Sequence, residues 1–361
     1  MDEICAEALR RKDEIAASAA IDTLYFGGGT PSVLPLCDAA RIADACGGRK
    51  WREWTVEVNP DDISPQYAAG LRELGVNRVS MGVQSLDDGL LKWMNRRHSS
   101  DGARQAFRML REAGFDNVSV DIIFGINGLS MAALEATLAE IISWRPEHIS
   151  AYQLSVEPGS ALGRMVRDGR YVELGDDDCS RQYYYICSAL AAAGYEHYEI
   201  SNWALPGRRA VHNSAYWTRA PYVGLGPGAH SLRYRAANTT IPLHPQGTRG
   251  RVPLETPLSL RSDGCRTANA DFRSWNSESL SGWTAEGEQL SDAEIREERI
   301  MLGLRTADGI PASLLQENEI SRQDRNDSLV PSAVPEHLRI PEDRWFTADD
   351  IIASLISKVT E

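Results

Sequence analysis

Short apolar runs alternate with longer amphipathic segments along the first 156 residues of the chain. Residues 118–123 have the composition of a buried strand, and residues 131–142 carry apolar side chains at helical spacing before a further strand at 148–156. The same junction, in which a helix ends at a glycine and an apolar residue leads into the next strand, recurs at Gly75, Gly114 and Gly194. This repeat predicts an α/β fold with a parallel sheet, either open or closed as a barrel.

A glycine-rich loop follows the first predicted strand. Residues 1–20 predict one helix, and the strand at 24–26 then runs into Gly27-Gly28-Gly29-Thr30-Pro31. A backbone without side chains lets a ligand approach the main chain, whose N–H groups can point at anionic groups. Taken alone, the glycines also fit a tight turn from a strand into a helix, so a functional interpretation depends on the residues that follow.

Polar side chains lie at the carboxyl ends of the predicted strands, where parallel α/β folds place their sites. The residues at these positions include Glu57, Gln84, Asp121 and Ser155. Each of them alone also fits a helix cap or an exposed strand position, whereas the set predicts a polar small-molecule site at one rim of the sheet. Glu57 and Asp121 are in addition a candidate carboxylate pair for acid–base chemistry.

Composition narrows the classes of function. A chain of 361 residues fits one large domain with an appendage, or two domains, and a net charge of −13 argues against an unassisted nucleic-acid surface. No apolar run reaches the length of a membrane span, and the first residues lack the basic start and apolar core of a signal peptide. The sequence therefore predicts a cytoplasmic protein without a membrane span or a nucleic-acid partner.

The six cysteines are scattered along the chain. Even Cys179 and Cys187 are farther apart than the short spacings of zinc and iron–sulfur motifs. Reduced thiols are the expected state.

These motifs resemble the radical S-adenosylmethionine (SAM) enzymes of the oxygen-independent coproporphyrinogen III oxidase type, and within that group the haem-chaperone (HemW) branch. The resemblance covers residues 21–232 and resumes weakly from residue 273. The matching motifs are residues 27–32, Glu57 in Glu-Val-Asn-Pro, residues 82–85, Arg96 with His98, and Asp121 in Asp-Ile-Ile-Phe-Gly.

The resemblance implies a radical-SAM (β/α) barrel and assigns SAM-binding residues. Gly28, Gly29 and Thr30 would contact SAM, and its polar groups would be held by Glu57, Gln84, Arg96, Asp121 and Ser155.

A second motif implies haem. Residues 212–217 fit the His-Asn-x-x-Tyr-Trp motif that the haem-chaperone branch carries. His212 would be the axial ligand of the haem iron, and Tyr216 and Trp217 would pack on the porphyrin. A loop histidine beside two core aromatics is the structural alternative. His230, in the glycine-containing segment 224–231, is a second and weaker ligand candidate.

The sequence departs from the family at its front. The enzymes it resembles place Cys-x-x-x-Cys-x-x-Cys, which holds a [4Fe–4S] cluster, ahead of the glycine-loop strand, whereas here Cys5 stands alone. We therefore expect an incomplete barrel without the ligands of the cluster, without reductive cleavage of SAM and with weaker SAM binding. A shortened gene model and a cluster-free relative both fit. Whether the chain is an enzyme stays open, and no catalytic residue is assigned.

Four regions follow from this reading. Residues 1–200 form the partial barrel, 201–232 a connection lining the haem or substrate pocket, 233–272 an irregular or disordered insert, and 273–361 a small, mostly helical C-terminal domain. The arginines of the insert would either contact haem propionates or lie in solvent.

Three functions are consistent with the sequence. The first is a haem chaperone that delivers haem to acceptor proteins from a SAM-binding barrel. The second is an oxygen-independent coproporphyrinogen III oxidase, inactive in this chain. The third is an α/β protein that binds a phosphate or nucleotide at its glycine loop. The oligomeric state is open, a homodimer included.

Overall fold

A seven-stranded sheet forms the centre of the computed structural model, which describes residues 1–17, 22–48, 50–233, 272–279, 282–315 and 328–360. Its strand order is β1-β2-β3-β4-β5-β7-β6. The strands are β1 (Thr23–Phe26), β2 (Glu53–Val58), β3 (Arg78–Gln84), β4 (Val118–Phe124), β5 (His148–Gln153), β6 (Glu196–Glu199) and β7 (Asn202–Ala204). Strands β1 to β5 pair in parallel, as the sequence predicts, and β7 and β6 continue the sheet antiparallel.

The sheet has an apolar face and a polar face, because side chains alternate along each strand. Val56, Val79 and Val118 lie side by side in register on the apolar face and pack into the core with the helices. Ser80, Ser119 and His148 lie side by side on the other face. Since the helices cover the apolar face, the polar face becomes the interior of an incomplete (β/α) barrel.

Helices connect the strands. Those of the first 233 residues are α1 (Asp2–Arg10), α2 (Lys12–Ala17), α3 (Leu36–Ala45), α4 (Pro65–Leu74), α5 (Asp88–Trp93), α6 (Ser100–Glu112), α7 (Met131–Trp144), α8 (Ala161–Arg167), α9 (Asp176–Ala192) and α10 (Val211–Trp217). The hydroxyls of Ser64, Ser99 and Ser130 accept backbone N–H groups at the starts of α4, α6 and α7, so these starts are fixed locally.

The single helix predicted for residues 1–20 is instead two helices with a break at Arg11. The Arg11 guanidinium donates to the carbonyl of Gly224 at 2.8 Å and to the Ser231 hydroxyl at 3.0 Å, and it also pairs with Glu7 and Glu14. These distant contacts explain why helical periodicity alone misses the break. Residues 18–20 lie outside the described residues.

The C-terminal part contains α11 (Asp292–Gly303) and α12 (Ala348–Thr360), and it also contains strands. β8 (His230–Arg233), β9 (Phe272–Ser279) and β10 (Gly282–Gln289) form one antiparallel sheet, and β11 (Ile310–Pro311), β12 (Val330–Pro331) and β13 (His337–Arg339) form another. The sequence predicts the helices but not the hairpin of β9 and β10. Of the predicted insert, residues 234–271 lie outside the described residues.

Aromatic contacts join the C-terminal part to the barrel. The His197 ring stacks on Trp203 at 4.1 Å and meets Trp345 edge-on at 4.2 Å between centroids. Trp345 is 1% exposed, and its indole N–H donates to the carbonyl of Ile340. Within the described ranges, no helix is both long and apolar enough to cross a bilayer.

Candidate functional site

The glycine loop after β1 is fixed by Glu57 at the end of β2. The Tyr25 hydroxyl donates to Glu57 Oε1 at 2.6 Å, and the Gly28 N–H donates to Glu57 Oε2 at 3.2 Å. Burial and the Glu57 carboxylate raise the pKa of Tyr25 above its usual range. Tyr25 therefore stays a protonated donor that orients Glu57, a role that the sequence did not reveal.

Glycine is required in this loop for two reasons. Gly28 and Gly29 have φ values of +76° and +61°, in the left-handed region that favours glycine. A Cβ on Gly27 would lie 2.5 Å from Cε1 of Tyr25 and 3.0 Å from Glu57 Oε1. Thr30, next in the chain, is half-buried. The loop is thus an open backbone surface beside a carboxylate.

The loops after β1 and β2 are tied together by Ser32. Its hydroxyl donates to Asp62 Oδ2 at 2.6 Å and accepts the N–H of Asn59 at 3.2 Å. This contact accounts for the serine that follows the glycine, threonine and proline of the first motif.

Gln84 ends β3 in a strained conformation, with φ of +66°. The neighbouring Gly82 leaves room for it, since a Cβ there would lie 2.7 Å from Gln84 Nε2. Buried His98 donates from Nε2 to the carbonyl of Val83 at 3.0 Å, and burial lowers the pKa of His98. His98 thus braces the backbone that presents Gln84.

Asp121 lies on the inner face among serine hydroxyls. Ser80 Oγ is 3.1 Å from Asp121 Oδ2, and Ser119 Oγ is 3.3 Å from Oδ1. Burial raises the pKa of Asp121, a hydrogen bond from Ser150 opposes the rise, and the negative charge of Glu57 adds to it. The carboxylates of Glu57 and Asp121 therefore repel each other electrostatically inside the barrel.

Arg96 is a half-buried cation at this rim. Burial lowers its pKa, and the charge of Asp121 opposes that change. In the part of the chain that the structure describes, the Arg96 guanidinium forms no ion pair, which leaves its donors available for a ligand carboxylate. Ser155 is exposed and donates to Glu157 Oε1 at 2.8 Å, so it lies farther out than the others.

Helix α10, which carries the His-Asn-x-x-Tyr-Trp motif, is docked on the barrel by Glu53 of β2. Glu53 accepts the N–H groups of Val211 and His212, each at 2.8 Å. A carboxylate at a helix N-terminus satisfies free N–H groups and complements the helix dipole. Glu53 is the residue that positions the motif, and a charged residue at the start of a strand gave no signal of this in the sequence.

The His212 ring is held by three side chains. Its Nδ1 is 2.8 Å from Thr23 Oγ1, its Nε2 is 2.8 Å from the Tyr216 hydroxyl, and the ring stacks on Tyr25 with centroids 5.0 Å apart. Burial lowers the pKa of His212 to about 4, so the imidazole is neutral at pH 7.

A mostly apolar cavity of ≈ 390 Å³ lies beside His212, at the amino end of β1. Its wall includes Ile15, Trp51, His212, Tyr216, Tyr222 and Leu225. Trp217 does not line it, because consecutive helical residues point about 100° apart while His212 and Tyr216, four apart, share a face. Exposed His230 on β8 is likewise absent from the cavity wall.

The described residues do not supply a cluster site. They contain no group of three or more His, Cys, Asp or Glu side chains that could hold a metal ion. Cys5, Cys37, Cys46, Cys179 and Cys187 are free thiols. The residues present therefore do not fit a [4Fe–4S] cluster, and none of them is assigned to one.

The sequence of the chain is similar to those of known proteins. A sequence model of the radical SAM superfamily matches residues 3–141. The Heme chaperone HemW of Bacillus subtilis (strain 168) is 34% identical over 230 residues, which cover 62% of this chain and 60% of that relative. The mitochondrial radical S-adenosyl methionine domain-containing protein 1 of Bos taurus is 30% identical over 351 residues, covering 86% of this chain and 79% of that protein.

The fold agrees with a solved structure. Coproporphyrinogen III oxidase (HemN) from Escherichia coli, described as a radical SAM enzyme, matches 98% of this chain and 82% of its own with a TM-score of 0.68 and 16% identity. At that identity the likeness bears on the fold alone. This chain spans about three fifths of the Bacillus subtilis HemW. From the matched superfamily model and the extent of the relatives' similarity, the chain belongs to the radical SAM superfamily, in its HemW branch.

Proposed function

We propose that this chain binds haem in the cavity beside His212 and passes it to haem-requiring acceptor proteins. The observation that carries the proposal is the position of the His212 ring in the wall of a mostly apolar cavity of ≈ 390 Å³. Relatives from Bacillus subtilis and Lactococcus lactis bear the name Heme chaperone HemW, which agrees with haem as the cargo.

The hydrogen bonds of His212 are compatible with the tautomer that iron needs, because both partners are hydroxyls that can donate or accept. If Nδ1 carries the proton and donates to Thr23 Oγ1, then Nε2 keeps its lone pair and accepts the Tyr216 hydroxyl. A hydrogen bond to the other ring nitrogen is the usual support of a metal-bound histidine. Haem iron would then replace the Tyr216 hydroxyl at Nε2.

In the absence of haem, the Tyr216 hydroxyl occupies Nε2 of His212, and it would move away when haem binds. Its side chain is 36% exposed, and its ring meets Tyr222 edge-on at 4.8 Å between centroids. Rotation of an exposed side chain is fast compared with haem exchange. Return of the hydroxyl to Nε2 would compete with iron and so favour release to an acceptor.

SAM fits the rim at the carboxyl ends of the strands. Gly28, Gly29 and Thr30 offer open backbone, and Arg96, which forms no ion pair with the described residues, suits the carboxylate of SAM. Glu57 and Asp121 are acceptors for its amino and ribose groups, with Gln84 and Ser155 flanking. In radical SAM enzymes, SAM supplies a 5′-deoxyadenosyl radical after reduction by the cluster. The described residues are assigned only the binding of SAM.

Two further expectations stay predictions. A cytoplasmic location is one of them, and the mitochondrial name of the Bos taurus relative offers a different compartment. The coproporphyrinogen III oxidase alternative draws on the HemN likeness, which bears on the fold alone, and no contact in the described residues favours it.

Haemin titration followed by visible absorption tests the proposal. The wild-type chain is expected to give a saturable Soret shift at one haem per chain, which His212→Ala weakens at least tenfold. His230→Ala is the matched control, since His230 lies on β8 outside the cavity wall. Equal affinity in wild type and His212→Ala would reject His212 as the ligand. Loss in His230→Ala instead would move the site to β8.

A further inference from the structure

Arg78 is a buried cation that none of the sites above uses. It begins β3 and is 1% exposed, among the largest fully buried side chains of the described residues. Among the residues that the structure describes, Arg78 forms no ion pair, and its Nε has no hydrogen-bond partner. A buried guanidinium without a paired anion is costly, because its charge has lost contact with water.

Thr55 on the neighbouring strand β2 also carries a buried polar atom without a hydrogen-bond partner among the described residues. It pairs with Arg78 in the parallel register of β2 and β3, so the two side chains leave the same face about 4.8 Å apart. Thr55 is 0% exposed, and its Oγ1 has no hydrogen-bond partner among the described residues. Among the described residues, the Nε–H of Arg78 and the hydroxyl of Thr55 thus both lack an acceptor, which is the pattern of a site that binds an anion.

The nearby carboxylates of Asp121 and Glu57 do not pair with Arg78 in the described residues. Asp121 feels the charge of Arg78, but its oxygens are bonded by Ser80 and Ser119. Glu57 accepts hydrogen bonds from the Tyr25 hydroxyl and the Gly28 N–H, and no hydrogen bond joins it to Arg78 in the described residues. An incoming anion would be repelled by Asp121, which favours a singly charged group over a phosphate dianion.

We propose that Arg78 and Thr55 form a carboxylate-binding site on the inner face of the sheet. The guanidinium would bind the two oxygens as a fork, and the threonine hydroxyl would donate to one of them. This proposal rests on the proposed function, because it takes the carboxylate to belong to a ligand of the barrel.

Two ligands of the proposed function carry a carboxylate, the propionate of haem and the methionyl group of SAM. The propionate is favoured by the register of the sheet, in which Tyr25, Thr55 and Arg78 lie side by side on β1, β2 and β3. The Tyr25 ring stacks on His212, so this row leads from the proposed haem ligand to Arg78. The SAM carboxylate already has Arg96.

The first test uses the propionate ion itself. Thermal unfolding is followed in sodium propionate and in sodium chloride at equal ionic strength, for the wild type, Arg78→Met, Thr55→Val and, as an exposed control, Arg108→Met. Tm of the wild type and the control is expected to rise with propionate. The rise should vanish in Arg78→Met and shrink in Thr55→Val. No propionate-specific rise in the wild type overturns the proposal.

The second test identifies the source of the carboxylate. Haemin is compared with haemin dimethyl ester, and SAM with decarboxylated SAM, in the wild type and Arg78→Met. If the propionate binds here, the wild type prefers haemin over its ester by about tenfold or more, and Arg78→Met loses that preference. If instead the wild type prefers SAM over decarboxylated SAM and Arg78→Met loses that preference, the carboxylate bound at this site is that of SAM. Preferences unchanged in both pairs overturn the proposal, whereas absence of haem binding in the wild type overturns the proposed function.

A purely structural Arg78 gives a different pattern. Removal of an unpaired buried charge should leave Tm in chloride unchanged or higher in Arg78→Met. A large drop in Tm that Arg78→Lys restores, with no propionate effect in either variant, would make Arg78 a structural residue and contradict the site.

Discussion

The Glu53 carboxylate of β2 accepts the backbone N–H of His212 at 2.8 Å and so fixes the start of helix α10. The same carboxylate binds the N–H of Val211. One buried acid at the amino end of a strand therefore sets the position of the histidine that lines the cavity.

Glu53→Gln should loosen α10. The amide can satisfy only one of the two N–H groups, so we expect the free energy of unfolding to fall by about 1–3 kcal/mol and haem affinity to fall with it. Urea denaturation measures the first and haemin titration the second. Glu112→Gln, an exposed position on α6, is the control. Unchanged stability in Glu53→Gln would contradict a docking role.

The stability of the chain should depend on His212 below neutral pH. Its pKa is about 4 in the folded state and about 6.5 when unfolded, so the unfolded state binds more protons between these values. The stability contributed by the neutral ring is present above about pH 6.5 and lost as pH falls toward 4.

The His212→Asn variant tests this dependence. As pH falls from 6.5 to 4, the wild type should lose up to about 3 kcal/mol more than the variant. Unfolding free energies across that range measure the difference, and the titration of His212 by NMR checks its cause. Parallel pH profiles for the two proteins would mean that the imidazole is not held neutral.

Gly29→Ala should weaken SAM binding. A φ of +61° costs an alanine about 1–2 kcal/mol, and relief of that strain would move the loop away from Glu57. Gly128→Ala is the matched control, because Gly128 also has positive φ and open space around it but lies in another turn. Calorimetric SAM titration should show a loss only in Gly29→Ala. Equal SAM affinity in both variants would exclude the loop from the site.

Trp345→Ala should separate the C-terminal part from the barrel. The substitution removes the edge contact to His197 and leaves a cavity, for an expected loss of about 3–5 kcal/mol of stability. Trp93→Ala, at a position 38% exposed, should cost far less. Thermal unfolding distinguishes them, and a single shared Tm for the two variants would contradict the role of Trp345.

Period-two alternation predicts the parallel strands well, because each strand must be apolar toward the helices. The same pattern places Glu57 and Gln84 at or next to the carboxyl ends of β2 and β3, as the structure has them, whereas Asp121 lies in the middle of β4. Their orientation depends on Tyr25, Ser80 and His98, which are contacts between strands and loops that no local pattern encodes.

Long-range contacts explain what the sequence does not predict. The break at Arg11 follows from partners more than 200 positions away. Trp217 belongs to the same motif as His212 but does not line the cavity, because the motif lies on a helix, which the sequence analysis did not predict. Thr55 and Arg78 become a pair only through the register of β2 and β3.

Imidazole rescue of His212→Gly tests the central claim most directly. This variant removes the ligand and leaves space for free imidazole next to Thr23 and Tyr216. We expect haemin to give no one-to-one Soret complex with the variant alone and to regain the wild-type spectrum when imidazole is added. A wild-type Soret band in His212→Gly without imidazole would show that the iron is held elsewhere and would contradict the account.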